Sequence, residues 1–293
     1  MARIGIRLMV AFVAICASAH VVAQTVRVGS VVDSRFNSGG WTLDGSHMVS
    51  TRAKLLNLAN FGPGGTVPRT IQITDTAAAV GSVTPALLSQ FDVFFIGYLL
   101  DGSPNAFTGA ELAAMQAYVT SGGTMIVTCD DSSYDAVCAS FGHPALPSGP
   151  SINPIVPTAA GSATTIFNGP FGNVTSILEF GTLGAFAVAT GATILAQDST
   201  PGTPLPVVLI QNFGSGRVIF LADVDLIADS LSSGPGINNQ NDQFMGNLFA
   251  FVPPFAPPPT PQITVPTLSP FALLLLTLLV AGAGWHFSRR MRH

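Results

Sequence analysis

The 293 residues hold only 11 Lys and Arg against 15 Asp and Glu, while 48% of positions are hydrophobic. Five of the basic residues, Arg3, Arg7, Arg289, Arg290 and Arg292, stand at the two ends, so the stretch between them carries six basic and all fifteen acidic residues, a net charge of −9. An acidic body excludes nucleic acid as a partner, because phosphate contacts need a basic surface, and it leaves cation binding or plain solubility.

Residues 1–23 place Arg3 and Arg7 before an apolar run and end on small residues, the pattern of a secretory signal peptide. Ala17-Ser18-Ala19 and Val21-Val22-Ala23 both fit the small-residue rule, and a cut after Ala23 starts the mature chain at Gln24. Cysteine usage agrees with export. Cys16 leaves with the signal, and Cys129 and Cys138 remain as a pair in a compartment that permits a disulfide. Two unlinked thiols are the alternative.

Residues 24–252 read as a single α/β domain of ample core. Residues 25–33, TVRVGSVVD, form a β-branched strand followed by a Gly- and Ser-rich loop over 34–45. The spacing of Ala53, Leu55, Leu56, Leu58 and Ala59 predicts a helix over 50–60, capped by Ser50 and stopped by Gly62 and Pro63. A strand at 69–75 precedes a short helix at 84–90, with Thr84 as its cap and Pro85 at its first position. Residues 91–99, FDVFFIGYL, are nearly all apolar, as expected of a strand buried on both faces. A helix over 108–120 opens on a Thr108/Glu111 capping box and stops at Gly122-Gly123. Residues 124–128 form another buried strand, and a helix is expected over 133–141.

Strand, helix, strand in this rhythm implies parallel crossovers and a doubly wound, mostly parallel sheet with helices on both faces, of flavodoxin-like type. Residues 143–161 read as loop. Short strands are expected at 164–167, 185–188 and 193–196 around a turn-rich 168–172. Residues 206–212 and 217–223, joined by Phe213-Gly214-Ser215-Gly216, read as a hairpin that gives the C-terminal part its β-rich character. A last helix is expected over 239–252. Residues 253–264 form a proline-rich, extended spacer.

The final segment, 265–293, begins Val265-Pro266-Thr267-Leu268-Ser269, continues in an apolar run to Phe287 and closes on Arg289, Arg290 and Arg292. Residues 268–287 supply the roughly 20 uncharged residues of a transmembrane helix, and the arginines keep the C-terminus cytoplasmic, with the domain on the far side. This order resembles the IPTL-CTERM sorting tail, a relative of the PEP-CTERM tail on exported proteins of Gram-negative bacteria. The resemblance implies a sorting protease of exosortase type as a partner, with the protein membrane-anchored and then at the cell surface or extracellular after processing. An ordinary membrane anchor has the same parts. A GPI signal does not, since it ends in its hydrophobic segment.

Phe91-Asp92-Val93, the helix ending Tyr118-Val119-Thr120-Ser121-Gly122-Gly123, the strand leading to Cys129, and Gly214-Ser215-Gly216-Arg217-Val218-Ile219-Phe220 together resemble the class I glutamine amidotransferase-like fold. The resemblance implies a nucleophilic Cys at Cys129 and a histidine after the late strand. Asp223-Val224-Asp225 stand there instead, and the histidines of the domain are His47 and His143. A thiol needs a base or a lowered pKa to act, so Cys129 with His143 is the one catalytic pair to test. His143, between Gly142 and Pro144, is expected in a solvated loop.

In an open parallel sheet, ligands bind outside the carboxyl ends of the strands, where the order places Asp33, Asp130, Asp131, Asp223 and Asp225. Clustered carboxylates are the ligands that Ca²⁺ or Mg²⁺ takes, although aspartates also cap helices and close turns. No organic cofactor is expected. Two functions follow: a noncatalytic binding or scaffolding domain facing an extracellular polysaccharide or a protein partner, or a hydrolase or metal-dependent enzyme at the acidic strand ends.

The apolar tail is the one strong anchor in the sequence. A stop codon at Leu268 should therefore move the protein from the membrane pellet to the soluble fraction of the exported material. Resistance of the truncated chain to carbonate extraction would refute the anchor.

Overall fold

The computed structural model describes residues 24–36, 39–98, 107–133, 135–228 and 230–252. They belong to one unit, Met1–Phe255. The expected signal peptide, spacer and tail lie outside the described residues, among which no helix is long and apolar enough to cross a membrane.

The first half alternates: β1 (Gln24–Val31), α1 (Asp33–Phe36), α2 (Val49–Leu56), β2 (Arg69–Thr76), α3 (Pro85–Leu88), β3 (Val93–Ile96), α4 (Gly109–Thr120), β4 (Thr124–Thr128) and α5 (Ala136–Ser140). The second half is strand-rich: β5 (Ala145–Pro150), β6 (Val156–Pro157), α6 (Ala159–Ser162), β7 (Asn168–Gly169), β8 (Gly172–Asn173), β9 (Thr182–Phe186), β10 (Thr193–Gln197), β11 (Pro206–Phe213), β12 (Gly216–Leu221) and then α7 (Gln240–Phe251).

Five strands run parallel in the order β2-β1-β3-β4-β12, the flavodoxin-like order with its reversal between β1 and β3. The sheet continues antiparallel through β11, β10 and β6. Every residue of β3 and β4 is buried, as continuous apolar sequence requires of strands covered on both faces. Neighbouring residues of a strand point to opposite faces. Phe95 meets Phe249 of α7, with ring centroids 6.3 Å apart, while Phe94 meets Phe91.

Three local expectations are corrected. Residues 143–161 are not loop: β5 pairs antiparallel with β9 as a separate ribbon, and β6 closes the sheet edge, where the missing donor of Pro157 is tolerated. Residues 164–167 are not a strand. Thr158 caps α6 by accepting from the Gly161 N–H at 3.0 Å, and the chain turns on through Phe167, whose N–H donates to the Thr164 carbonyl at 3.3 Å. Helix α2 is not capped by Ser50. It grows out of the 3₁₀ turn Ser46–Met48 without a side-chain cap and ends at Leu56, where Asn57 leaves the helical region.

The capping box of α4 reaches into the core. Thr108 Oγ1 accepts from the Glu111 N–H at 3.3 Å and Glu111 Oε2 accepts from the Thr108 N–H at 2.9 Å. The same carboxylate takes Arg35 Nη2 at 2.9 Å through Oε2 and the Val83 N–H at 3.0 Å through Oε1. Arg35 donates further to the carbonyls of Ala77 and Ala79 and lies 4.6 Å over the Phe107 ring. Both side chains are buried, so one charge pair ties α1, the loop after β2 and the start of α4. Burial alone would raise the Glu111 pKa, but Arg35 and the two backbone donors outweigh it and bring it to about 2.

Removing one partner of such a pair leaves an uncompensated buried charge, so Glu111→Ala should cost roughly 3–5 kcal/mol by urea denaturation at pH 7. A lowered pKa stabilises above the unfolded value of 4.5 and the gain is lost as pH falls through about 2. The difference between wild type and variant should shrink across that window.

Candidate functional site

The carboxyl ends of the parallel strands open on one edge of the sheet, and a cleft of about 220 Å³ lies there. Its lining carries Asp130 and Asp131 after β4, Asp223 and Asp225 after β12, and the aromatic side chains of Trp41 and Tyr98. The pairing of β4 with β12 extends past the strands, because the Cys129 N–H donates to the Leu221 carbonyl at 2.8 Å. The acids of the two ends are thereby set side by side. Asp130 Oδ1 accepts from the Val224 N–H at 3.0 Å, and Asp223 Oδ1 from the Asp225 N–H at 2.9 Å.

Strand β9 crosses directly over these ends at Gly184. A Cβ there would lie 2.1 Å from the Ala222 carbonyl oxygen and 2.3 Å from that of Asp130, so only glycine allows the crossing. The loop entering β9 delivers a fifth acid, Glu179. Its backbone is fixed by Asn153, which accepts from the Glu179 N–H at 3.1 Å and donates to its carbonyl at 2.7 Å. Gly181, at φ +131°, then turns the chain beside the Glu179 and Asp225 carboxylates.

Glu179, Asp223 and Asp225 each offer an oxygen within 4.8 Å of the other two. Glu179 is 1% exposed, and neither carboxylate oxygen has a hydrogen-bond partner. Its neighbour Ser151 spends its hydroxyl on the Glu179 carbonyl instead. The basic residues of the domain are committed elsewhere. Arg27 pairs with Asp92, Arg35 with Glu111, Arg52 with Asp75 and Lys54 with Asp242. Arg69 donates to the carbonyls of Phe249 and Ala250, and Arg217 lies over the Phe251 ring. Two carboxylates at this separation repel by about 3 kcal/mol at an effective dielectric constant of about 20.

The protonation equilibria follow. Burial, then the Asp223 charge, pushes Asp130 well above the usual carboxylate range. Burial, reinforced by Asp225 and Glu179 against two backbone donors, raises Asp223 to about 8. Burial raises Glu179 as well, with Ser151 nearby working against it. Asp131 goes the other way, down to about 2, because the backbone N–H groups of Ser148 and Ser133 hold its carboxylate.

Of the five aspartates expected at strand ends, the structure gathers Asp130, Asp223 and Asp225 into one cluster. Asp131 lines the cleft but is a turn anchor, bonded to Ser133 and to both the N–H and the hydroxyl of Ser148. Asp33 is not in the cleft lining, and it accepts from the Gly40 N–H at 2.9 Å to close its own loop. Glu179 was not foreseen. It lies more than forty residues from either aspartate group, in a stretch without motif or periodicity, and only the crossing of β9 brings it in.

Cys129 and Cys138 form a disulfide with an S–S distance of 2.06 Å. The expectation of a solvated His143 is corrected: the side chain is buried, Nε2 meets Gln211 Oε1, and the ring stands edge-on to Phe220 at 4.8 Å. The imidazole is held by a partner on β11, while the Cys129 sulfur is held by Cys138. The 168–172 turn is likewise structural, since Asn247 of α7 accepts from the Phe171 N–H and donates to the Gly172 carbonyl, both at 2.9 Å.

Residues 264–293 match the family model of the IPTL-CTERM motif. The motif implies export and cell-surface sorting and fits the exosortase-type system. No curated protein matches the sequence. Among solved structures, the mmIFT52 N-terminal domain aligns at 14% identity with a TM-score of 0.51, over 78% of this chain and 97% of its own. A ThuA-like protein from Bacteroides uniformis aligns at 13% identity and a TM-score of 0.49, over 80% and 94%. The cold-adapted β-galactosidase from Rahnella sp. R3 aligns at 14% identity and 0.47, over 87% of this chain and 35% of its own. Identities this low speak to fold alone, a mostly parallel α/β sheet.

A carboxyl whose folded pKa lies above its unfolded value stabilises fully below the unfolded pKa and loses that contribution as pH rises through the folded one. For Asp223, flanked by Asp130, Asp225 and Glu179, the window runs from 3.8 to about 8. In chelator-treated protein, stability measured by chemical denaturation should therefore fall from pH 4 to pH 8. Asp223→Asn should flatten that slope, and an unchanged slope would remove Asp223 as its source.

Proposed function

We propose that this chain is an exported envelope or extracellular-matrix protein, delivered by its IPTL-CTERM tail, whose amidotransferase-like domain binds or scaffolds and has no amidase activity. One observation supports the noncatalytic reading above others. At the position where the amidotransferase resemblance calls for a free thiol, the sulfur of Cys129 is bonded to Cys138. A sulfur in a disulfide is not a thiolate and cannot attack a carbonyl. His143 faces Gln211 and Phe220, so the histidine the pair would need is held by other partners. The ligand-binding place is the acidic cleft at the carboxyl edge, facing an extracellular polysaccharide or a protein partner.

A second reading, a metal-dependent hydrolase, draws support from the convergence of Glu179, Asp223 and Asp225 within 4.8 Å. Metal-assisted hydrolysis needs an open coordination position next to a substrate cleft, and the cleft borders two of these three acids. The noncatalytic reading is preferred because a binding role uses every feature described and needs no general acid or base.

Ammonia release from glutamine and simple amides, measured on the exported chain before and after reduction, is expected to stay at background in both states. A turnover that appears on reduction and vanishes in Cys129→Ala would overturn the noncatalytic reading.

A further inference from the structure

Among the described residues, Glu179 is the one whose two buried carboxylate oxygens both lack a hydrogen-bond partner. A carboxyl taken out of water keeps its charge only if hydrogen-bonded, paired or bound to a cation, and otherwise holds its proton. Glu179 is 1% exposed, both of its oxygens lack a hydrogen-bond donor, and it is turned toward two further carboxylates. The backbone is built to hold it there. Asn153 fixes the peptide groups of Glu179 from both sides, and Gly181 adopts φ +131° in the following turn. A residue with no role beyond solvation would turn outward, as its neighbours Leu178 and Phe180 do at 46% and 60% exposure.

We propose that Glu179, Asp223 and Asp225 form a binding site for one divalent metal ion, Ca²⁺ in the first place, beside the carboxyl-edge cleft, which Asp223 and Asp225 line. The donors are all carboxylate oxygens, which selects a hard cation over zinc or copper. Ca²⁺ accepts six to eight oxygens in flexible geometry and takes mono- or bidentate carboxylates. Mg²⁺ instead demands near-octahedral order and keeps several waters. Three carboxylates beside an open cleft suit the larger ion, with water from the cleft completing its shell. Asp130 is bonded to the Val224 N–H and supports the turn that carries Asp223 and Asp225. The charge balance points the same way, because the domain's Lys and Arg side chains are engaged with other partners. This site rests on the reading of the cleft as a binding place, and it is tested by metal binding alone, so that amide turnover and sorting bear on it in neither direction.

The experiment uses the full exported chain in detergent, stripped with chelator and titrated with CaCl₂ at neutral pH by calorimetry, with thermal unfolding followed in parallel. One Ca²⁺ per chain and a rise in Tm are expected. Tb³⁺ in place of Ca²⁺ should show emission excited through the indole of Trp41, which lines the same cleft, and Ca²⁺ should quench it by displacement. Glu179→Gln, isosteric and relieved of a buried charge, should unfold no earlier than wild type in chelator yet lose Ca²⁺ affinity at least tenfold. Asp225→Asn should do the same, whereas Asp131→Asn should keep the affinity. The proposal is overturned by the absence of a Ca²⁺ heat and Tm shift in wild type, by Glu179→Gln retaining full affinity, or by Mg²⁺ displacing Tb³⁺ as well as Ca²⁺ does.

Discussion

The parallel pairing of β4 with β12 is the constraint on which the rest depends. Both strands lie in the interior of the sheet, so the middle of each is apolar and charge enters only near their ends. Continuation of the ladder from Cys129 to Leu221 carries the alignment one residue past β4. The first polar residues of the two ends, Asp130 and Asp223, are then forced to be neighbours. Their proximity is the price of burying everything before them, and it is offset locally by the N–H groups of residues 184, 224 and 225.

The antiparallel half of the sheet supplies what the parallel half cannot. Strand β9, paired with β5 and not with the main sheet, passes across the carboxyl edge and closes the cleft from above. It brings Glu179 from a distant part of the chain. The Cys129–Cys138 bridge links the end of β4 to α5, and His143 packs against Gln211 of β11 and Phe220 of β12. One edge of the sheet thus carries a disulfide at the end of β4 and a cluster of carboxylates beside it.

Charge is distributed with similar economy elsewhere. Arg35 with Glu111 and Lys54 with Asp242 are buried pairs that join the starts of α4 and α7 to cations on α1 and α2, and each acid also closes a capping box. A helix cap normally contributes about 1 kcal/mol. Coupled to a buried cation it becomes a tertiary contact, specifying which helices dock together. Since the cations serve the frame, the cleft is left with negative charge alone.

The sequence by itself determined the centre of the sheet and the presence of a sorting motif at the end of the chain. The runs at residues 91–99, 124–128 and 217–223, the Thr108/Glu111 box and the 213–216 turn carry strong local signals, and the structure places strands within or across those runs at Val93–Ile96, Thr124–Thr128 and Gly216–Leu221. The tail motif is read directly from composition and order, and it is matched over residues 264–293. What only the tertiary structure decided is whatever depends on residues far apart in the chain. Ser50 was displaced as a cap by a preceding 3₁₀ turn, and residues 145–150, with their Pro and Gly, became a strand because β9 offered a partner. Of the five strand-end aspartates, three converge and two serve turns, since position at a strand end fixes direction but not neighbours. Glu179 enters the site through a loop whose sequence has no periodicity, and the physical reason it could not be read is that convergence is a property of the crossing, not of the segment.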